Sequence, residues 1–425
     1  MIKIHQNRSG LFLTSHFILY IYMSIQDYIE KLQTIQADLI DFIKNEDNVE
    51  ENYQNLVNYI EEQEIRMDKH ELKLFLNLLS KIADNYHRYE SFFEKIEKII
   101  LLFQSEMKNY YTNDEIFNVF KSNKRVLLFL IEQDIISFDQ EIFKELMKEE
   151  FRKGKYPEYF APEFLKYIEQ INDNESTDYN DIYNCILNAY NEDYSAFEEK
   201  RKKGKNNSVV CEMIQNDSIE EFITFVNRED YSLDSCIEES IFETNQFLID
   251  HRKTTLIECA AFNGSIQIFQ YLFKNNAKLT EEIWNYAIHG DDAEIINFLE
   301  QKYAFGNDKD LLFELCINES IKCHHNHIAN YIERNLLNNN INNIVQCDDI
   351  FKLYNFAYFP KKMNDSDYFI YACKSGYYSM VWYLLENKRI DTNIMIIYTL
   401  FYKNEIFSSI FNVIDSYEVL YVFDL

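Results

Sequence analysis

The stretch Thr254–Ala277, TTLIECAAFNGSIQIFQYLFKNNA, constrains this fold more than any other part of the chain. Threonine hydroxyls accept hydrogen bonds from the free N–H groups at a helix start, so Thr254-Thr255 predicts a short helix over Leu256–Ala261. Ala260 and Ala261 let a neighbouring helix approach closely. Asn263-Gly264 makes the turn, because glycine accepts the left-handed conformation that ends a helix. Ile266, Ile268, Phe269, Leu272 and Phe273 recur at three- and four-residue spacing and form the apolar stripe of a second helix. One such helix pair cannot bury its own face, so it requires neighbours of the same kind.

Those neighbours are legible on both sides. Leu279–Tyr303 has Gly290 in the place of Gly264, and Ile295, Ile296, Phe298 and Leu299 on its second helix. Leu311–Leu336 follows. Placing Ala287 on Ser320, Ile295 on Ile328, Phe298 on Tyr331 and Leu299 on Ile332 gives one common offset of about 33 residues, the period of ankyrin-type repeats. A degenerate unit covers Ser208–Val226, with Cys211, Ile214, Ile219, Phe222 and Phe225 as its expected core. A weak unit lies near Ile350–Phe359. A better one spans Ser366–Asn393, where Ala372-Cys373, Gly376 and Val381-Trp382 repeat the pattern. Trp284 and Trp382 occupy apolar helical positions and are read as core.

Upstream, the periodicity predicts a helix over 24–45 with Ser24 as its cap. Further helices are predicted over 48–64, over 68–83 with an Asp68/Glu71 capping box, and over 89–110, joined by short polar links. Asn113-Asp114 is read as the cap of a helix over Glu115–Phe120. Gly154, Pro157 and Pro162 mark a break. The chain therefore divides into a dispensable extension over 1–22, an N-terminal helical domain over 23–205, a repeat domain over 206–400 and a capping segment over 401–425. The apolar run Leu11–Tyr22 is too short to span a bilayer, and Met23 reads as the functional start.

Composition narrows the function. Only seven glycines and three prolines occur in 425 residues, which favours helices with short links and leaves no glycine-rich phosphate loop. The net charge is −29, and acid exceeds base on both sides of residue 205. No basic footprint for nucleic acid or anionic membrane remains, and a partner with a basic surface is favoured. The single basic run, Lys200–Lys205, is read as a solvated linker or helix end. The eight cysteines are scattered without a CxxC, and Cys259 and Cys373 sit at small buried positions, as in a reduced cytoplasmic protein.

Two clusters carry possible chemistry. Cys323-His324-His325-Asn326-His327 is the one dense group of soft ligands, with Cys323 and His327 four residues apart on one helix face. Sequence offers no second ligand pair nearby, so the expectation is no metal and no cofactor. His289-Gly290-Asp291-Asp292 reads as a turn, with Gly290 ending one helix and an aspartate capping the next.

Asp217–Phe222, Ile241–Asn245, Thr255–Ile266, Tyr286–Gly290 and Ile321–Tyr331 together resemble the ankyrin-repeat proteins of unicellular eukaryotes that are built on an ankyrin-type domain of unknown function. The resemblance covers the chain after Met23. It implies an all-α helical solenoid of degenerate ankyrin-type helix-turn-helix repeats with an N-terminal helical region, and no assigned biochemical activity. The chain lacks Thr-Pro-Leu-His and most hairpin glycines, which speaks against regular β-hairpin fingers. The expected function is non-catalytic binding or scaffolding of a protein partner, without nucleic acid, membrane or small-molecule substrate. Partner-facing residues are expected at Asp250, His251, Arg252, Glu258, Lys278, Glu281, Asn285, Tyr303 and Phe305. The alternative is a metal-binding regulatory protein or metal-dependent enzyme using Cys323–His327.

Overall fold

A computed structural model describes residues 24–89, 91–171, 194–251, 253–302, 309–337, 347–360, 363–386 and 390. All regular elements among them are helical, twenty-four α-helices and two 3₁₀ turns, with one isolated β-bridge between Cys236 and Thr255. The all-α expectation holds. The segments 1–22 and 401–425 lie outside the described residues.

In chain order the helices are α1 (Ile25–Lys44), α2 (Val49–Glu62), α3 (Lys69–Ala83), α4 (Phe92–Leu102), α5 (Gln104–Tyr110), α6 (Asn113–Phe120), α7 (Lys124–Glu132), α8 (Gln140–Leu146), α9 (Glu149–Lys153), α10 (Tyr156–Tyr159) and α11 (Ala161–Ile171). The one helix expected over 89–110 is two, divided at Phe103. The cap of α6 is Thr112, in a reciprocal box with Glu115, rather than Asn113-Asp114. The box at Asp68 is only half made. The Asp68 carboxylate accepts from the His70 and Glu71 N–H groups, but the Glu71 side chain turns into the interior.

The chain continues through α12 (Tyr194–Lys203), α13 (Val209–Gln215), α14 (Ile219–Glu229), α15 (Gln246–Asp250), α16 (Leu256–Asn263), α17 (Ile266–Lys274), α18 (Ile283–Gly290), α19 (Ala293–Lys302), α20 (Lys309–Lys322), α21 (Asn326–Asn335), α22 (Cys347–Leu353), α23 (Asp365–Ser375) and α24 (Tyr378–Glu386). The basic run at the end of α12 is not wholly solvated. Arg201 is buried and forks onto Glu163 at 2.8 and 3.1 Å. A planar guanidinium suits that two-point grip on a carboxylate.

The helices gather in two compact units, the first drawn from the described residues within 24–38, 50–75 and 347–390, the second from those within 39–49 and 76–337. The sequence boundary at 205/206 falls inside the second.

The first unit has a polar seam within its core. Glu71 accepts from Tyr28 Oη at 2.8 Å and pairs with Lys31 at 3.0 Å. Gln36 Nε2 donates to Asn355 Oδ1, and its Oε1 accepts from the Ala357 N–H. Helix α22 packs on α23, which pairs with α24 across Gly376. Tyr377 Oη donates to the Phe351 carbonyl inside a cluster of aromatic rings.

The second unit contains four helix pairs, α13/α14, α16/α17, α18/α19 and α20/α21. First helices pack on first helices, α13 on α16, α16 on α18 and α18 on α20; α14 packs on α17 and α17 on α19. Each pair turns through one residue at positive φ: Asp217, Gly264, Asp291 and His324. At every turn that residue's N–H donates to the carbonyl three residues back, over 2.9 to 3.2 Å. The expected role of Gly290 is therefore corrected. Asp291 takes the left-handed position and Asp292 caps α19, while Gly290 is the last residue of α18. A Cβ on Gly290 would lie 2.2 Å from the Ala261 carbonyl oxygen. Glycine is needed there for close helix approach, not for its dihedral freedom.

Turn positions 217, 264, 291 and 324 also show that the expected repeat spacing describes only the last interval. The first is lengthened by the segment that carries the Cys236–Thr255 bridge and α15. Of the core expected in Ser208–Val226, Cys211, Ile214 and Phe222 are buried, whereas Ile219 and Phe225 are half-exposed.

Candidate functional site

The link between α3 and α4 was expected to be a short polar connector. Within the second unit its four residues Tyr86–Tyr89 instead run along three successive pair turns. Tyr86 Oη donates to the His324 carbonyl at 3.1 Å. His87 Nε2 lies 3.0 Å from the Phe262 carbonyl, with its ring stacked on Phe262 at 3.9 Å. Arg88 donates to the Gly290 and Asp291 carbonyls, both at 3.1 Å, and to Asp292 Oδ2 at 2.7 Å. Tyr89 Oη reaches Asp291 Oδ2 at 3.3 Å. Helix ends leave carbonyls without intrahelical partners, and this strap supplies donors to them. Burial keeps His87 neutral by pushing its pKa down to about 3.

Two polar clusters sit under the strap. The first centres on Asp291, whose carboxylate is almost wholly buried. Lys44 Nζ lies 2.7 Å from Oδ2, and His327 Nε2 lies 2.7 Å from Oδ1. Burial by itself raises the Asp291 pKa, but His327, His325 and Lys44 outweigh it and hold the carboxyl well below its usual range. His325 is 1 % exposed, and its Nδ1 is 3.8 Å from Asp291 Oδ2. Among the described residues, neither of its ring nitrogens has a hydrogen-bond partner. Burial pushes its pKa down to about 3.

The second cluster joins α18 to the end of α20. His289 Nε2 lies 2.8 Å from Glu319 Oε1 and 3.4 Å from Cys323 Sγ, while Nδ1 is 3.6 Å from the same sulfur. Glu319 and Cys323 share one face, because the Cys323 N–H still donates to the Glu319 carbonyl at 2.9 Å. The imidazole is stacked on Phe247 at 3.9 Å. Burial raises the Cys323 thiol well above its ordinary pKa and lowers that of His289. Among the described residues, His289, Glu319 and Cys323 bring three potential ligand atoms within 4.8 Å of one another.

The sequence cluster Cys323–His327 thus divides. Cys323 faces His289 and Glu319, whereas His327 faces Asp291 and is 59 % exposed. Sequence reasoning missed Glu319, although an acid four residues before Cys323 on a predicted helix was the available signal. It also missed Lys44, Tyr86, Arg88 and Tyr89, for which no local signal exists.

The expected partner-facing residues scatter. Asp250, Lys278 and Glu281 are exposed, and Asn285 is half-buried. His251 is half-buried, with its ring against Phe247. Glu258 is the one the structure contradicts. It is buried, its carboxylate caps Thr255 at 2.8 Å and accepts from the Thr280 hydroxyl of the next connection. It clamps neighbouring pairs. Arg252, Tyr303 and Phe305 lie outside the described residues. Leu311 and Leu315, which were not singled out, stand 57 % and 55 % exposed, one helical turn apart on α20. Among the described residues no helix is long and apolar enough to cross a membrane. In comparison with known proteins, no family model, no curated protein and no solved structure matches this chain.

Proposed function

We propose that this chain is a non-catalytic protein-recognition module of ankyrin type, working in the cytoplasm. The observation that supports the reading is the stacking of four helix pairs, first helix on first helix, with one recurring left-handed turn. Such stacks present a long surface to a partner without any special residue type. The strap occupies the turn ends, so recognition belongs to the connections between pairs. In the connection from α17 to α18, Lys274, Asn275, Asn276, Lys278, Glu281 and Glu282 are exposed. Leu311 and Leu315 add an apolar anchor of the kind that interfaces cover. The chain's acidity favours a partner with a basic surface.

The test uses the full chain as bait in lysate from its own cells, beside a bait carrying Asp250→Lys, Lys278→Glu and Glu281→Lys. All three positions are exposed, so the variant keeps its melting temperature. A protein held by the first bait and lost from the second, then bound directly as a purified pair, supports the reading. Equal retention on both baits removes the surface assigned here.

A further inference from the structure

We infer that His289, Glu319 and Cys323 form a binding site for a divalent transition ion of zinc-like preference, held by Nε2, a carboxylate oxygen and the thiolate. The inference stands independently of the recognition reading.

The geometry carries it. Three ligand types converge from two helices at a buried point, and the same imidazole atom, Nε2, faces both other groups. With zinc bonds of about 2.0 Å to nitrogen and oxygen and about 2.3 Å to sulfur, tetrahedral ligands stand about 3.5 Å apart for N and S and about 3.3 Å for N and O. The observed 3.4 Å between His289 and Cys323 already meets the first distance. The 2.8 Å between His289 and Glu319 is a hydrogen-bond length; it opens by about half an ångström when the ion takes the place of the shared proton, which moves to Nδ1 and leaves the imidazole neutral. The four-residue spacing of Glu319 and Cys323 places both donors on one helix face, and stacking on Phe247 fixes the plane of the imidazole.

Charge agrees with geometry. A carboxylate and a thiolate neutralise a divalent ion, so the ion and its protein ligands carry no net charge, which suits a buried position, and the Lys322 ammonium 3.2 Å from Glu319 Oε1 stands at the solvent edge. Binding forms a metal–sulfur bond and releases the thiol proton to solvent. A thiolate selects zinc and its neighbours over magnesium and calcium. Cys323 and His289 are sealed, but the Glu319 side chain is 17 % exposed, and its other neighbour Lys322 is largely in solvent. The fourth ligand, a water, enters from that side. This set differs from the pairing that the sequence suggests, because His327 takes no part.

The test titrates the metal-free full chain with Co²⁺ and then displaces the cobalt with Zn²⁺. The expected result is one equivalent bound, a thiolate-to-cobalt charge-transfer band with tetrahedral d–d intensity, release of a proton, and no response to Mg²⁺. Cys323→Ser and His289→Gln each lose at least about tenfold in affinity, since a direct ligand matters no less than the groups that orient one. His327→Ala keeps wild-type affinity. Wild-type protein that takes up no cobalt, or takes it up without the thiolate band, overturns the site. Loss in His327→Ala, or unchanged binding in Cys323→Ser, overturns the ligand set. The wild-type spectrum decides even where a variant fails to fold.

Discussion

The turns at Gly264 and Asp291 share a backbone and differ in everything attached to it. Both residues are left-handed, with φ of 68° and 49°, and both close a first helix through the same N–H to carbonyl bond. At Gly264 the space beyond the Cα belongs to the strap, and a Cβ there would meet Arg88 Cζ at 2.7 Å. At Asp291 the side chain itself fills the turn and gathers Lys44, His327 and Tyr89. A left-handed L-residue costs about 1 kcal/mol or more. The Asp291 turn accepts that cost because its carboxylate organises a buried cluster. One repeat position thus serves chain reversal in one pair and electrostatic anchoring in the next.

The sharpest break is at the residue before the turn, Asn263 in one pair and Gly290 in the other. Gly290→Ala places a methyl against the Ala261 carbonyl and forces α16 and α18 apart. We expect a loss of about 3 kcal/mol, read from the urea midpoint. The matching change Asn263→Ala, at a half-buried position, costs far less. An equal effect at the two sites would remove the close-approach argument.

Substitution of Asp291 separates dihedral strain from charge. Asp291→Ala strands Lys44 and keeps the strained backbone, for a loss of about 2 kcal/mol. Asp291→Gly loses the same partners but relieves the strain, so it is milder by about 1 kcal/mol. If the alanine and glycine variants melt together, the left-handed position carries no strain.

The smallest effect concerns the strap and depends on pH. His87 is neutral in the folded chain, with its pKa pulled to about 3 by burial from the ordinary 6.5. Its contribution to stability is complete above about pH 6.5 and is lost as pH falls toward 3, because the unfolded chain then binds the extra proton. At about pH 5.5 the loss is about 1 kcal/mol. His87→Gln, which keeps an N–H for the Phe262 carbonyl, flattens this slope in denaturation curves taken between pH 7 and 5. An unchanged slope would mean that His87 is open to solvent.

What was legible in the sequence follows from distance along the chain. The helix start at Thr255, the Gly264 turn and the apolar stripe of α17 are settled within a few residues, so their chemistry is written locally. The break of the 89–110 helix at Phe103 was invisible because its apolar period runs on through both halves. At the candidate site, spacing could place Glu319 on the face of Cys323 but could not bring His289 to them. That approach depends on how closely α18 and α20 pack.

By itself the sequence determined that the described residues are helical, that helices come in pairs joined by tight turns, and which faces are apolar. These properties depend on propensity, capping and periodicity, which act over one or two turns. Only the tertiary structure decided that Tyr86–Tyr89 bind turns some two hundred residues away, that Glu258 is a buried clamp, and that Cys323 and His327 face different partners. The reason is physical. A buried carbonyl or carboxylate must find a donor, but nothing in its local sequence says which distant segment will supply it.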